Sequence, residues 1–125
     1  MATILVVEDV PSVMLSLRVV LEGCGHAVVG AATAEEGLGR LRQGGIDLVV
    51  TDIWMPGQPG TAVISKGRRL APGTRFLAIT GGAPNGSFTA EDLRREGTDF
   101  GADQVLYKPF QRAELIQAVS HLLPA

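Results

Sequence analysis

Short apolar runs alternate along the chain with longer segments whose apolar residues recur at helical spacing. The runs are rich in β-branched residues, which is typical of strands buried on both faces of a parallel sheet. They predict five strands, at Thr3–Val7, His26–Ala31, Ile46–Thr51, Arg75–Ile79 and Asp103–Tyr107. The segments between and after them predict five helices, at Pro11–Leu21, Ala34–Gln43, Gly60–Leu70, Ala90–Glu96 and Gln111–Leu123.

The helix boundaries agree with this division of the chain. Thr33 and Thr89 precede the second and fourth helices. At these N-cap positions their hydroxyls would accept hydrogen bonds from backbone amides of the first helical turn. Alternating strands and helices favour right-handed crossovers between parallel strands. We therefore expect an α/β fold, a doubly wound (βα)5 five-stranded parallel sheet in a three-layer α/β/α arrangement.

Length and composition narrow the class of protein. A chain of 125 residues is one domain by size, and 46% hydrophobic content argues against disorder. The net charge of -2 argues against a nucleic-acid-binding surface, which needs a basic stripe. No apolar run approaches the roughly 20 residues of a membrane span, so we expect no membrane partner.

Two further expectations concern the cell and the architecture. Cys24 is the only cysteine, so no internal disulfide can form, which is consistent with a reducing, cytoplasmic location. Nothing follows the predicted last helix except a few residues. We therefore expect one domain over 1–125 and no output domain.

The candidate chemistry is concentrated where four of the predicted strands end. Glu8 and Asp9 follow the first strand, Asp52 the third, Thr80 the fourth and Lys108 the fifth. Parallel strands point the same way, so their carboxyl ends meet along one edge of the sheet, where α/β folds bind ligands. These five side chains are therefore expected to converge.

The residue types suggest phosphoryl chemistry. Crowded carboxylates repel one another unless a cation joins them, and an all-oxygen cluster suits Mg²⁺. Lysine offers a compact positive charge to a phosphoryl group, and a threonine hydroxyl can donate to its oxygens. A carboxylate can itself be the nucleophile and form an aspartyl phosphate.

Four ordered blocks at these strand ends resemble the receiver domain of two-component response regulators. The resemblance covers essentially the whole chain and implies a flavodoxin-like fold similar to that of chemotaxis regulators. The blocks are Val6-Val7-Glu8-Asp9, Thr51-Asp52-Ile53-Trp54-Met55-Pro56-Gly57, Ala78-Ile79-Thr80-Gly81, and Gly101-Ala102-Asp103 leading to Lys108-Pro109-Phe110.

The resemblance implies a phosphorelay function at Asp52. This residue would accept a phosphoryl group from the phosphohistidine of a sensor histidine kinase or phosphotransfer protein. Thr80 would hydrogen-bond the phosphoryl group and Lys108 would pair with it, held by a cis Lys108–Pro109 bond. The domain would catalyse only its own phosphorylation and dephosphorylation, and would not otherwise be an enzyme.

The resemblance also implies a Mg²⁺ site and a partner surface. Asp9 and Asp52 would bind the ion directly, Glu8 through a water, and Trp54 through its main-chain carbonyl. The downstream protein target is not identified by the sequence. It, or a second copy in a homodimer, would bind the fourth helix, fifth strand and fifth helix, around Arg94, Arg95, Tyr107 and Arg112.

One departure from the family pattern concerns an aromatic position of the fifth strand. Receivers often have Tyr or Phe three residues before the lysine, and here that residue is Val105. Tyr107 lies two residues further along the same strand and therefore on the same face. We hypothesise that Tyr107 takes over part of the switch.

Two other readings of the residues are open. A haloacid-dehalogenase-type phosphatase would also use Asp52 as nucleophile, but it needs a second carboxylate two residues later, where this chain has Trp54. A pseudo-receiver would bind partners constitutively and never be phosphorylated. Val105 favours that alternative, whereas the intact acidic, threonine and lysine positions argue against it.

Overall fold

The computed structural model describes residues 2–55, 57–83, 86–97 and 99–123. Pro56, Pro84 and Asn85, which the sequence assigns to loops, lie outside the described residues. The strands are β1 (Thr3–Val7), β2 (Ala27–Ala31), β3 (Leu48–Asp52), β4 (Arg75–Thr80) and β5 (Gln104–Tyr107). The helices are α1 (Pro11–Gly23), α2 (Ala34–Gln43), α3 (Gly60–Leu70), α4 (Ala90–Glu96) and α5 (Arg112–Leu122).

The five strands form one parallel sheet in the order β2-β1-β3-β4-β5. The expected flavodoxin-like (βα)5 fold is therefore confirmed, with every predicted boundary within two residues of the observed one. The largest shifts are two residues, at the end of α1 and at the start of β3, which begins at Leu48. Before it, the Asp47 carboxylate accepts from the Thr3 amide at 2.8 Å and the Ile46 carbonyl from the Thr74 hydroxyl at 3.0 Å. Side-chain hydrogen bonds thus fix the segment that precedes the strand.

Alternate strand residues pack on opposite sides of the sheet. One cluster buries residues such as Ile4, Val50 and Leu77 against α1 and α5. The other buries neighbours such as Val49 and Phe76 against α2 and α3. Because strand side chains alternate between faces, two apolar layers follow from near-continuous apolar strands. Among the described residues no helix is long and apolar enough to cross a membrane.

The predicted N-caps are present at α2 and α4. The Thr33 hydroxyl accepts from the Glu36 amide at 3.1 Å. At α4 the Thr89 hydroxyl accepts from the Asp92 amide at 3.1 Å, and the Asp92 carboxylate accepts from the Thr89 amide at 3.0 Å. This reciprocal capping box fixes the start of α4.

The start of α3 lies directly against the backbone at the end of β3. The Gly60 amide donates to the Ile53 carbonyl at 2.9 Å. A Cβ at position 60 would overlap the Asp52 carbonyl oxygen and lie 2.9 Å from the Ile53 Cα. Only glycine allows this close approach, which holds the segment after Asp52 against the sheet.

We predict that Gly60→Ala lowers the free energy of unfolding by about 2 kcal/mol or more, because the added methyl meets backbone that cannot move aside. Gly39→Ala is the control, since Gly39 lies in α2 with open space within 4 Å. That change should stabilise the protein by up to about 1 kcal/mol through helix propensity. Urea denaturation of both variants measures the difference, and equal stabilities would contradict the close approach.

Candidate functional site

Three carboxylates meet at the carboxyl edge of the sheet. One oxygen each from Glu8, Asp9 and Asp52 lies within 4.8 Å of the others. Glu8 and Asp52 are 2% and 7% exposed, and Asp9 is half-buried. The register of the central strands causes this crowding, because Val7 of β1 pairs with Thr51 of β3. Glu8 and Asp52 each come directly after one member of this pair. They therefore lie next to each other at the ends of neighbouring strands.

The electrostatics of the cluster favour a bound cation. Burial, reinforced by the charge of Asp52, raises the pKa of Glu8 from 4.5 to about 7. Burial also raises the pKa of Asp52, and this rise is opposed by the positive charge of Lys108. The Lys108 Nζ lies 3.9 Å from Asp52 Oδ1, so it partly neutralises one of three carboxylates. The cluster offers only oxygen ligands, and its negative charge is only partly balanced by Lys108. Such a cluster fits a hard divalent ion such as Mg²⁺.

Lys108 is positioned by the end of β5. Its amide donates to the Thr80 carbonyl at 2.8 Å, which extends the contact between β4 and β5 by one residue. The Lys108–Pro109 peptide bond is cis. A Cβ at Gly81 would lie 3.3 Å from the Lys108 Cβ, so the lysine stem runs over this glycine towards Asp52.

Thr80 ends β4 and is fully buried. Its hydroxyl oxygen accepts from the Trp54 indole Nε1 at 2.9 Å and from the Gly82 amide at 3.3 Å. The resemblance implied a metal-binding main-chain carbonyl at Trp54 but did not indicate this side-chain hydrogen bond. The Trp54 ring packs edge-on against Phe100, with ring centroids 6.5 Å apart and an interplanar angle of 83°.

Phe100 is a neighbour of the site that no sequence motif indicated. It precedes β5 by several residues and has a left-handed backbone, with φ of 58°. A bulky residue with positive φ is rare, so the surrounding packing must hold it there. The only available sequence signal is the Gly101 that follows it, which also has a positive φ, of 79°.

The aromatic side chain of β5 lies next to Thr80. Thr80 pairs with Tyr107 in the β4–β5 register, and Ala78 pairs with Val105. Val105 packs against the α2–α3 side of the core. The half-buried Tyr107 is covered by the Arg94 guanidinium of α4, 4.7 Å from the ring centroid. β4, β5 and α4 are thus connected near the site.

A family model for the response regulator receiver domain matches residues 4–120, nearly the whole chain. The chain belongs to this family. The receiver fold and the two-component signalling role inferred from the four sequence blocks are thereby confirmed.

Curated relatives of this receiver domain are transcriptional regulators. It is 31% identical over 116 residues to the transcriptional regulatory protein DltR of Streptococcus agalactiae, covering 93% of this chain and 49% of that protein. It is 37% identical over 112 residues to TcrA of Mycobacterium tuberculosis, covering 90% of this chain and 42% of that protein. The receiver thus spans about half the length of these relatives or less.

Solved receiver structures are similar over nearly their full length. The response regulator TrrA of Thermotoga maritima, solved in complex with Mg²⁺-BeF, has a TM-score of 0.83 and 30% identity, with 98% of this chain and 100% of that one covered. A CheY-like receiver of Methanospirillum hungatei has a TM-score of 0.81 and 29% identity, with 97% and 92% covered.

The raised pKa of Glu8 predicts a pH dependence of stability in EDTA. Between pH 4.5 and about 7 the folded state holds a proton on Glu8 that the unfolded chain releases. The contribution of this proton to the stability of the folded state is therefore complete below pH 4.5 and is lost as pH rises through about 7. Its size is about 3 kcal/mol at most.

Urea denaturation from acid to alkaline pH measures this effect. Glu8→Gln should remove most of the fall in unfolding free energy between pH 4.5 and about 7, because glutamine does not titrate. Glu91→Gln, an exposed carboxylate of α4, is the control and should keep the fall. An equally steep fall in Glu8→Gln would show that another group is responsible.

Proposed function

We propose that this receiver domain accepts a phosphoryl group on Asp52 in a Mg²⁺-dependent reaction and that the phosphoryl group changes which proteins it binds. The observation that supports this most directly is the geometry of the edge of the sheet. There a buried aspartate has two further carboxylates within 4.8 Å and the ammonium of Lys108 at 3.9 Å. The nucleophile thus lies close to the candidate ligands for a cation and to a positive charge for the phosphoryl group.

The metal site of the proposal uses four residues. Asp9 and Asp52 would bind Mg²⁺ directly, the Trp54 carbonyl would be the third protein ligand, and Glu8 would act through a water. The bound ion would supply positive charge to the phosphoryl oxygens. The similar TrrA structure, a complex with Mg²⁺-BeF, supports this assignment.

The phosphoryl transfer itself would use Asp52, Thr80 and Lys108. A carboxylate oxygen of Asp52 attacks phosphorus in line, so that a P–O bond forms as the P–N bond to the donor histidine breaks. Lys108 neutralises charge on the transferring group, and the Thr80 hydroxyl donates to one of its oxygens. Preorganised donors of this kind lower the barrier because they are not reorganised during the reaction.

The phosphodonor would be a sensor histidine kinase or a phosphotransfer protein of the cytoplasm. The partner surface would comprise α4, β5 and α5, where a downstream protein or a second copy of this chain binds. Tyr107 and Arg94, in contact there, are residue types common at interfaces. The alternative is a pseudo-receiver that binds its partners constitutively. It is favoured by Val105, which stands where receivers often have an aromatic residue.

Acetyl phosphate and Mg²⁺ should add one phosphoryl group to the wild type. Intact mass spectrometry would then show a gain of about 80 Da that EDTA prevents. Asp52→Asn should show no gain, because the amide is not a nucleophile. Glu91→Gln, which alters an exposed carboxylate, should be modified like the wild type. No gain in the wild type would favour the pseudo-receiver.

The Tyr107 hypothesis predicts a second result, in Mg²⁺ and beryllofluoride. Amide NMR shifts should change at α4 in the wild type, because Tyr107 connects the site to Arg94. Tyr107→Ala should lose most of the change at α4 while keeping the change at Asp52. Tyr107→Phe retains the ring that Arg94 covers and is the matched control. Undiminished α4 shifts in Tyr107→Ala would end the hypothesis.

A further inference from the structure

The hydroxyl of Thr80 has both of its acceptor positions occupied. A threonine hydroxyl has two lone pairs and one proton. The Trp54 indole, which can only donate, donates a hydrogen bond to one lone pair at 2.9 Å, and the Gly82 amide donates to the other at 3.3 Å. Thr80 is 0% exposed, so water does not compete for these positions.

The proton of the same hydroxyl has no acceptor among the described residues. In none of the hydrogen bonds among the described residues does the Thr80 hydroxyl act as donor. A buried donor without an acceptor is costly, so it is suited to a ligand that supplies one. Asp52 pairs with Ile79 in the β3–β4 register, which places Thr80 one residue beyond the partner of the acceptor aspartate.

We propose that Trp54 is a positioning residue for Thr80, acting through its indole N–H. By occupying a lone pair, the indole leaves the hydroxyl able to act only as a donor at the edge of the sheet. A phosphoryl oxygen bound to Asp52 is an acceptor only, so the oriented proton matches it. This inference rests on the proposed phosphorylation of Asp52 and adds a residue to it.

The surroundings of Trp54 fix the direction of its N–H. The indole forms a T-shaped contact with Phe100, with ring centroids 6.5 Å apart and an interplanar angle of 83°. Phe100 itself has a φ of 58°, which is rare for a bulky residue. The indole is therefore fixed by an aromatic contact on one side and a hydrogen bond on the other.

The first measurement tests the contact without any phosphorylation. Trp54 is the only tryptophan, so a nitrogen–proton NMR spectrum contains one indole signal. Thr80→Val removes the acceptor, and the indole N–H should then shift upfield and exchange faster with water. Thr80→Ser keeps a hydroxyl and should keep the signal near its wild-type position. An indole signal unmoved by Thr80→Val would overturn the inference by itself.

The second measurement is the initial rate of phosphorylation by acetyl phosphate and Mg²⁺. Trp54→Phe keeps a ring against Phe100 but removes the N–H, and it should slow the reaction by about 3- to 10-fold, as for the loss of one neutral hydrogen bond. In a Thr80→Val background the same change should have no further effect, because the hydroxyl that it orients is absent. Urea denaturation establishes that each variant is folded.

The outcomes separate this inference from the proposed function. A wild type that takes up no phosphoryl group would refute the function, while the indole signal still decides the contact. A wild type that reacts at the same rate as Trp54→Phe would refute the positioning role alone. A loss in Trp54→Phe that persists in full alongside Thr80→Val would assign the effect to ring packing and also refute it.

Discussion

The organisation of this receiver depends on the mutual repulsion of three carboxylates held at one edge of a sheet. The β1–β3 register places Glu8 beside Asp52, and burial prevents water from screening their charges. Burial and the charge of Asp52 raise the pKa of Glu8, and the ammonium of Lys108 lies 3.9 Å from Asp52. Close carboxylates with little access to water are unfavourable when charged, and a divalent cation would relieve this repulsion.

The backbone around the cluster has little freedom. α3 starts so close to the end of β3 that position 60 accepts only glycine, and the amide of Lys108 continues the hydrogen bonding of β4. Fixed backbone on both sides of Asp52 limits how far the carboxylate can move to escape its neighbours. Rigidity of this kind preorganises charged groups for a ligand, at a cost in stability.

The departure at Val105 is accompanied by aromatic contacts at other positions. The Trp54 indole donates a hydrogen bond to Thr80 and packs against Phe100. Tyr107 pairs with Thr80 in the β4–β5 register, and the Arg94 guanidinium covers its ring. These two sets of contacts extend from the carboxyl edge of the sheet towards the segment before β5 and towards α4. Each offers a physical connection between a group bound at Asp52 and the proposed partner surface.

Apolar strands and helical periodicity determined the fold from the sequence alone, because a parallel sheet buried on both faces has a distinctive local pattern. The same rule located Glu8, Asp52 and Lys108 at strand ends and hence at one edge. Only the tertiary structure decided that the Trp54 side chain meets Thr80. That contact joins residues 26 apart in sequence, and no local pattern specifies the rotamer or the packing that brings them together.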